Sequence, residues 1–454
     1  MKLLLEKEFV MNPIIEKIRN TIMNTEFENH TYLVGGYVRD YIMGIKSNDI
    51  DIVVNLENGG IRLANYLYEK NISAKPVIYK NFGTALTIID NTNIELVMTR
   101  KESYRAKSRK PTVKPATLEE DAMRRDFTIN AIYQKLSDGK ILDITTKGLS
   151  DIEDKIIRTV SNSGRVFSED PLRMLRAIKF AVRLNFTIER KTFESIKQNA
   201  KRLNIISVER IKEEFVSILL SQKPSEGIKL LLQTGLMKYI IPEFYEIIDI
   251  PQNRYHSDDV LHHTLKVLDN VSPTTVLRIS ALLHDIGKGR TFSKDTKGNI
   301  HFYRHELIGA KMAENILGRL KFSKSLIKKV YLIILNHLRT KQYGDKAQNV
   351  KDKTVRKFIL QTKGFRDELL ELIDADNNAH APEYSLPHQI KYLKKRIANL
   401  ENDILKMPIN GEDIKKYFNL NEGKKVGELL KKAKDIWLES PHISKKELLE
   451  RLQA

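Results

Sequence analysis

The feature that most limits how this chain folds is a change of pattern near residue 145. Before it, strand-like and helix-like stretches alternate. "DIDIVV" (49–54), "ALTIID" (85–90), "IELVMT" (94–99) and "NAIYQKL" (130–136) are strand candidates. After it, from "LSDIEDKIIRTV" (149–160) onward, apolar residues recur at three- and four-residue spacing almost to the end, as in "LKFSKSLIKKVYLIILNHL" (320–338). Histidine usage shifts too: ten of the eleven histidines lie at or after His256, and seven fall between His256 and His337. A length of 454 residues suits several domains. The pattern predicts an α/β head over 1–145, a helical neck over 146–250, a helical histidine-rich domain over 251–380 and a helical tail over 381–454. Pro382 and Pro387 punctuate the last boundary.

Composition excludes several function classes. There is no cysteine, so disulfides and thiolate metal sites are ruled out and a cytoplasmic location is the default. A membrane span is not expected, because no run of about 18 apolar residues occurs. The opening "MKLLLEKEFVMN" is broken by Glu6, Lys7 and Glu8 too early for a signal peptide. Lysine and arginine number 77 against 58 acids, a formal charge of +19. That excess suits a polyanionic partner such as nucleic acid, although a lysine-rich composition gives the same balance by itself.

The strand "DIDIVV" raises a problem of charge. Residues two apart on a strand face the same way, so Asp49 and Asp51 are predicted to point to one side. Two carboxylates that close repel unless a divalent cation lies between them, and hard oxygen ligands suit Mg²⁺. Just upstream, Gly35 and Gly36 let a phosphate approach the backbone where a helix begins, and the free N–H groups there favour an anion. Arg39 lies one turn further in. Singly, an acidic pair on a strand and a glycine pair are ordinary surface and turn features. Their order, helix-opening glycines and then the acidic strand, resembles the nucleotidyltransferase superfamily of DNA polymerase β. The resemblance implies a third carboxylate from a neighbouring strand, with Glu95 the candidate.

In "EDPLRMLRAIKFAVRLNF" (169–186), Asp170, Arg173 and Arg176 recur every three residues. On one helix they share a face, while Lys179 has drifted about half a turn from Asp170. A carboxylate accepts a hydrogen bond and a guanidinium only donates. The Asp170–Arg173 pair is therefore complementary to the amino donor and ring-nitrogen acceptor of cytosine and adenine, and mismatched to uracil and guanine. Rejection of that kind reaches roughly 10⁴ or more. Read alone, the same stripe is equally a surface salt bridge.

"LVGGYVRDYIMG", "DID", "RRDFTINAI", the stretch just quoted and "SVERIKEEF" occur in that order. Together they closely resemble the class II tRNA nucleotidyltransferases, that is, the CCA-adding enzymes and their poly(A) polymerase relatives. "MPINGEDI" and "GKKVGELL" resemble the family's C-terminal region more loosely. The resemblance implies an α+β chain: a DNA polymerase β-like head, then an all-α neck, a further domain and a tail. It implies that Asp49 and Asp51 bind the catalytic Mg²⁺ ions and that Gly36 and Arg39 hold the triphosphate. Arg125 falls in the nucleotide-contacting motif. Asp170 and Arg173 are the template that selects CTP and then ATP, supported by Arg176. Lys179 stands where many relatives carry Arg, keeping the charge without the fork geometry. Seven basic residues against one acid between Arg100 and Lys114 correspond to a specificity-switching loop in the family.

Further on, "HHTLKVLDN", "ALLHDIGKGRTF", "YRHELIGA", "LNHL" and "DADNNAH" follow the order of HD-domain phosphohydrolases. Carried over, His263, His284, Asp285 and Asp376 hold a divalent transition metal or Mg²⁺, with Asp374 a competitor for the last position. His305 and His337 match extra histidines found in some members. The implied activities are CCA addition to tRNA from CTP and ATP, and hydrolysis of a phosphate ester or 2′,3′-cyclic phosphate. An A-adding or poly(A)-adding enzyme, and an HD phosphohydrolase with an inactive head, are the alternatives.

Overall fold

A computed structural model describes residues 12–47, 49–103, 112–252, 258–401 and 406–453. The opening segment to residue 11, His256 and the centre of the basic loop (104–111) lie outside these residues. The chain divides into two units, Met1–Ile241 and Pro242–Ala454.

The first unit is built on a seven-stranded sheet of order β3-β4-β5-β2-β1-β8-β9. Its strands are β1 (Thr31–Val34), β2 (Ile50–Val54), β3 (Val77–Tyr79), β4 (Thr84–Ile89), β5 (Thr92–Met98), β8 (Ile132–Lys135) and β9 (Ile141–Asp143). β2 and β5 run parallel, and the other neighbours are antiparallel. β6 (Arg100–Ser103) and β7 (Thr112–Pro115) form a separate hairpin. Strand parity sorts the side chains onto two faces. Leu33, Ile50, Ile52, Ile94, Leu96 and Ile132 enter one core with helices α1 (Pro13–Ile22) and α3 (Gly59–Glu69). Val34, Val53, Val97 and Tyr133 face the other way, onto α4 (Leu118–Met123) through Leu118 and Ala122. Asp51 and Glu95 have the parity of this second face.

Between β1 and β2 lies α2 (Gly36–Ile42), capped by Gly35 at φ 73° with no side-chain cap bond. Helix α5 (Gly148–Glu153) leads into the neck, which is α6 (Ser163–Glu169), α7 (Leu172–Leu184), α8 (Arg190–Asn199), α9 (Val208–Leu219), α10 (Pro224–Gln233) and α11 (Met237–Ile240). It is helical as expected except for a short parallel pair, β10 (Ile156–Ile157) with β11 (Thr187–Ile188). One expectation fails. Asp170 does not share a helix with Arg173 and Arg176: it caps α6 in an extended conformation (φ −137°, ψ 99°), and α7 starts only at Leu172. Pro171 is the reason, since a residue before proline is driven out of the helical region.

The second unit carries α12 (Val260–Asn270), α13 (Thr275–Leu283), α14 (Lys288–Thr291), a β12–β13 hairpin (Phe292–Lys294 with Ile300–Phe302), α15 (His305–Arg319), α16 (Lys324–Asn336), α17 (Asp352–Gln361), α18 (Arg366–Asn378) and α19 (Gln389–Glu401). Three last helices, α20 (Gly411–Phe418), α21 (Lys424–Glu439) and α22 (Lys445–Arg451), close on a small core of their own around Ile414, Ala433, Trp437 and Leu448. Among the described residues no helix is long and apolar enough to cross a membrane.

Candidate active sites

In the first unit, register places Asp51 on β2 between Val34 of β1 and Glu95 of β5. Asp49 precedes the strand and is exposed, and Glu95 is exposed as well. Burial, then Glu95 and Asp49, push the Asp51 carboxyl up to about 7, against a smaller pull from Arg125 and Arg176. The cations opposite the acidic strand are thus two arginines from other elements. Gly35 lies between Asp51 and Arg125: a Cβ there would make ordinary contacts, 3.5 Å from Asp51 Oδ2 and 3.7 Å from Arg125 Nη1, so it is the φ of 73° that favours glycine.

Arg125 is held by a buried cluster. Its Nη2 donates to Asp121 Oδ2 (3.0 Å), its guanidinium lies 5.2 Å from the Tyr133 ring, and the Tyr133 hydroxyl donates to the same carboxylate (2.8 Å). Asp121 also pairs with Arg124 (2.8 Å) and accepts from the Arg100 amide (3.2 Å). Burial disfavours its charge, but Arg125 and Arg124 outweigh that and hold it at about 2. A depressed carboxyl lends stability that is present above its unfolded value near 3.9 and is lost as pH falls towards 2. Asp121→Asn should therefore lower the melting temperature at pH 6 and flatten its decline between pH 5 and 3. An unchanged acid-melting profile would show that the cluster contributes nothing.

The residues expected to read the base are gripped from behind. Arg173 Nη2 donates to the Arg124 carbonyl (2.6 Å), while its buried Nη1 has no hydrogen-bond partner. Asp170 Oδ2 lies 3.4 Å from Arg210 of α9. Arg176 donates to Asp126 (2.8 Å), and one turn along α9 Glu214 takes Lys179 at 2.6 Å with Arg176 at 3.8 Å. Lys179 thus points to Glu214, off the line of Asp170. Arg39 is turned inward: it donates to Asp40 Oδ1 (2.8 Å) and Asn130 Oδ1 (2.7 Å) and lies 5.2 Å from the Phe180 ring.

In the second unit, α12, α13, α15, α16 and α18 converge on one buried cluster. Asp376 Oδ1 lies 2.9 Å from His263 Nε2 and 3.8 Å from His284 Nε2. Asp285 Oδ2 lies 3.2 Å from His284 Nε2 and 2.7 Å from Lys288 Nζ. Asp376 is 3% exposed, whereas Asp374 is only half-buried, so the cluster takes the former. The loop carrying His284 and Asp285 passes close to α15 at Gly287, where a Cβ would sit 2.3 Å from the His305 carbonyl. The donor set fits a divalent cation, because imidazole nitrogens of His263 and His284 and a carboxylate oxygen of Asp285 lie within 4.8 Å of one another in a buried space. Among the described residues, groups of three ligand atoms within 4.8 Å of one another occur only here; the head carboxylates are not drawn that close.

Comparison with known proteins shows the family. Residues 31–158 match the Poly A polymerase head domain, 185–247 the probable RNA and SrmB-binding site of polymerase A, and 254–400 the HD domain. A protein named multifunctional CCA protein, from Neisseria meningitidis, is 33% identical over 347 residues, covering 74% of this chain and 78% of the relative. The chain belongs to the tRNA nucleotidyltransferase and poly(A) polymerase family. Another relative, named A-adding tRNA nucleotidyltransferase from Deinococcus radiodurans, is 29% identical over 416 residues, 88% of this chain and 89% of that one. A solved CCA-adding enzyme of Bacillus stearothermophilus in complex with CTP shares the fold, with a TM-score of 0.67 at 21% identity over 98% of each chain.

For a tRNA nucleotidyltransferase, the supports that sequence reasoning missed are Asp121, Tyr133, Asp126, Asn130 and Glu214 in the first unit. In the second unit they are Lys288 and Gln252, whose side chains bond at 2.6 Å. Only the alternation of β8, which puts Tyr133 on the face of Val53, carried a signal.

Proposed function

We propose that the chain extends the 3′ end of tRNA, adding CCA from CTP and ATP, in the cytoplasm. The observation that carries the reading is the ionically crowded Asp51, in register with Glu95 and facing Arg125 across Gly35. The tRNA 3′-hydroxyl attacks the α-phosphate of the bound nucleotide, and pyrophosphate leaves. Asp49 and Asp51, with Glu95, form the catalytic set. Bound to those carboxylates, Mg²⁺ would neutralise charge on the attacking and leaving oxygens. Gly35, Gly36 and Arg125 receive the phosphates, and Arg39 braces the turn from inside. Asp170 and Arg173 read the base. Arg176 and Lys179, fastened to Asp126 and Glu214, keep that pair in place. The reading takes 1–145 as head, 146–250 as neck, 251–380 as a metal-dependent phosphohydrolase and 381–454 as a tRNA-binding tail.

A-only addition is the second reading, favoured by the length over which the A-adding relative matches. Transcripts of tRNA ending before the first C, after one C and after two C residues, incubated with labelled CTP, ATP or both, test the proposal. Full CCA on the shortest transcript supports it. Addition of A alone to the transcript already ending in CC supports the second reading, and no addition to any overturns both. Arg173→Ala should slow CTP and ATP incorporation about 10- to 100-fold, the loss of a charge-assisted bond of roughly 1.5–3 kcal/mol. Competition against UTP and GTP should show weakened preference. An unchanged ratio would move the template elsewhere.

A further inference from the structure

The sheet face that bears the candidate carboxylates does not end at Glu95. Register carries it across two more strands. Asp51 stands beside Glu95, Glu95 opposite Leu86 of β4, and Leu86 opposite Val77 of β3. Tyr79 and Ile88 have the parity of this row, because side chains two apart on a strand point the same way. Towards β1 and β8 this face is covered by Leu118 and Ala122 of α4. From Glu95 outward it is open: Val77, Tyr79 and Ile88 are 55%, 48% and 47% exposed, and Leu86 is partly so. Neighbouring strands lie about 4.8 Å apart, so this apolar shelf begins about 5 Å from Glu95 and extends about 10 Å from it.

Apolar side chains on the last strand of a sheet are a liability unless something covers them. The edge of β3 is itself guarded against pairing with another strand. Lys75 and Pro76, the latter with no N–H to donate, precede it, and Lys80 follows it. What stays open is the face. Its charged surroundings are chiefly basic. Lys75 and Lys80 are exposed, and Arg100 reaches in from β6, its Nη1 donating to the Phe82 carbonyl (3.0 Å) and to Thr84 Oγ1 (3.1 Å). Asp90, at the β4–β5 turn, pairs with Lys17 (3.2 Å), and Glu95 is the acid at the inner margin. An aromatic and apolar surface in a basic frame suits single-stranded nucleic acid, whose bases stack while its phosphates meet the cations.

We propose that this shelf holds the last unpaired nucleotides of the RNA being extended, with a base stacked on Tyr79, so that the terminal 3′-hydroxyl is delivered to Asp51 and Glu95. The proposal rests on the reading of the head as a nucleotidyltransferase. The shelf lies on the side of Glu95 away from Asp51, Gly35 and Arg125. It therefore binds the RNA and not the incoming nucleotide, and Tyr79 positions the chain without touching the reacting atoms.

The test measures extension of a tRNA transcript ending in CC with ATP by the full-length wild type and by Tyr79→Ala, both checked by circular dichroism. KM for the transcript should rise about 5- to 150-fold in the variant, the loss of one stacked base, while KM for ATP stays the same. Tyr79→Trp should restore it. Tyr68→Ala, on α3 at the other face of the sheet and exposed to a similar degree, should change neither. A transcript with 4-thiouridine among its last two nucleotides, irradiated on the wild type, should crosslink to residues 77–88. A wild type that extends no transcript removes the reading of the head and this proposal with it. Normal extension by the wild type, with an unchanged KM for RNA in Tyr79→Ala and crosslinks confined to other segments, overturns the shelf alone. A wild-type dimer that Tyr79→Ala dissociates without moving that KM gives the surface to a second copy and equally overturns it. The crosslink decides the question even where a variant does not fold.

Discussion

Asp51→Asn should reduce nucleotide addition about 1,000-fold or more while leaving the metal-free protein at least as stable as the wild type. The activity loss follows from removing one negative ligand from a site that gathers phosphate charge, an effect worth several kcal/mol. The stability follows from the sign of the shift. Asp51 titrates near 7 in the folded chain and near 3.9 when unfolded, so its ionisation opposes folding increasingly from about pH 4 to pH 7. In chelator at pH 8 the asparagine variant should melt no lower than wild type, and its melting temperature should fall less between pH 5 and pH 8. Normal addition in Mg²⁺ would remove Asp51 from the catalytic set. A collapsed melting temperature would mean that the carboxylate is a structural partner.

His284→Ala should abolish metal-dependent hydrolysis of a 2′,3′-cyclic phosphate and spare nucleotide addition. His284 is fully buried, with one ring nitrogen bonded to the Ala281 carbonyl and the other beside Asp285 and Asp376. Its candidate partners all lie in Pro242–Ala454, and the residues proposed for nucleotide transfer all lie in Met1–Ile241. Hydrolysis and addition should be assayed on one preparation. Joint loss of both in a folded variant would show that the two units depend on each other.

What could be read from the sequence was what local spacing dictates. "DIDIVV", "ALTIID", "IELVMT" and "NAIYQKL" declare strands by period-two alternation, and β2, β4, β5 and β8 stand there. β1, four residues ending at the glycine pair, and the three-residue β3 are too short to show a period. The carboxylates were visible because two acids in an apolar strand are anomalous. Asp121 and Asp126 were not, since acids in "EEDAMRRDF" look like solvated charge until Arg100, Tyr133 and Arg176 arrive from distant elements. The stripe from Asp170 to Arg176 misled for a local reason, the proline at 171. Among the histidines, order alone pointed to His263, His284, Asp285 and Asp376. The contacts that turn His305 and His337, their Nδ1 atoms against the Phe302 and Ile334 carbonyls, are not visible in spacing.

The break at Pro171 has a mechanical consequence. Had Asp170 and Arg173 belonged to one helix, their separation would be a rod's repeat, fixed by three residues of rise. Instead Asp170 ends α6 and Arg173 begins α7, each fastened to its own anchor, Arg210 for one and the Arg124 carbonyl for the other. The gap between acceptor and donor is then set at a joint, where Asp170 accepts from the Leu172 amide through Oδ1 (3.1 Å) and from the Arg173 amide through its carbonyl (3.1 Å). If this pair reads the base as proposed, a pyrimidine and a purine are gauged by a joint between helices and not by the repeat of one helix.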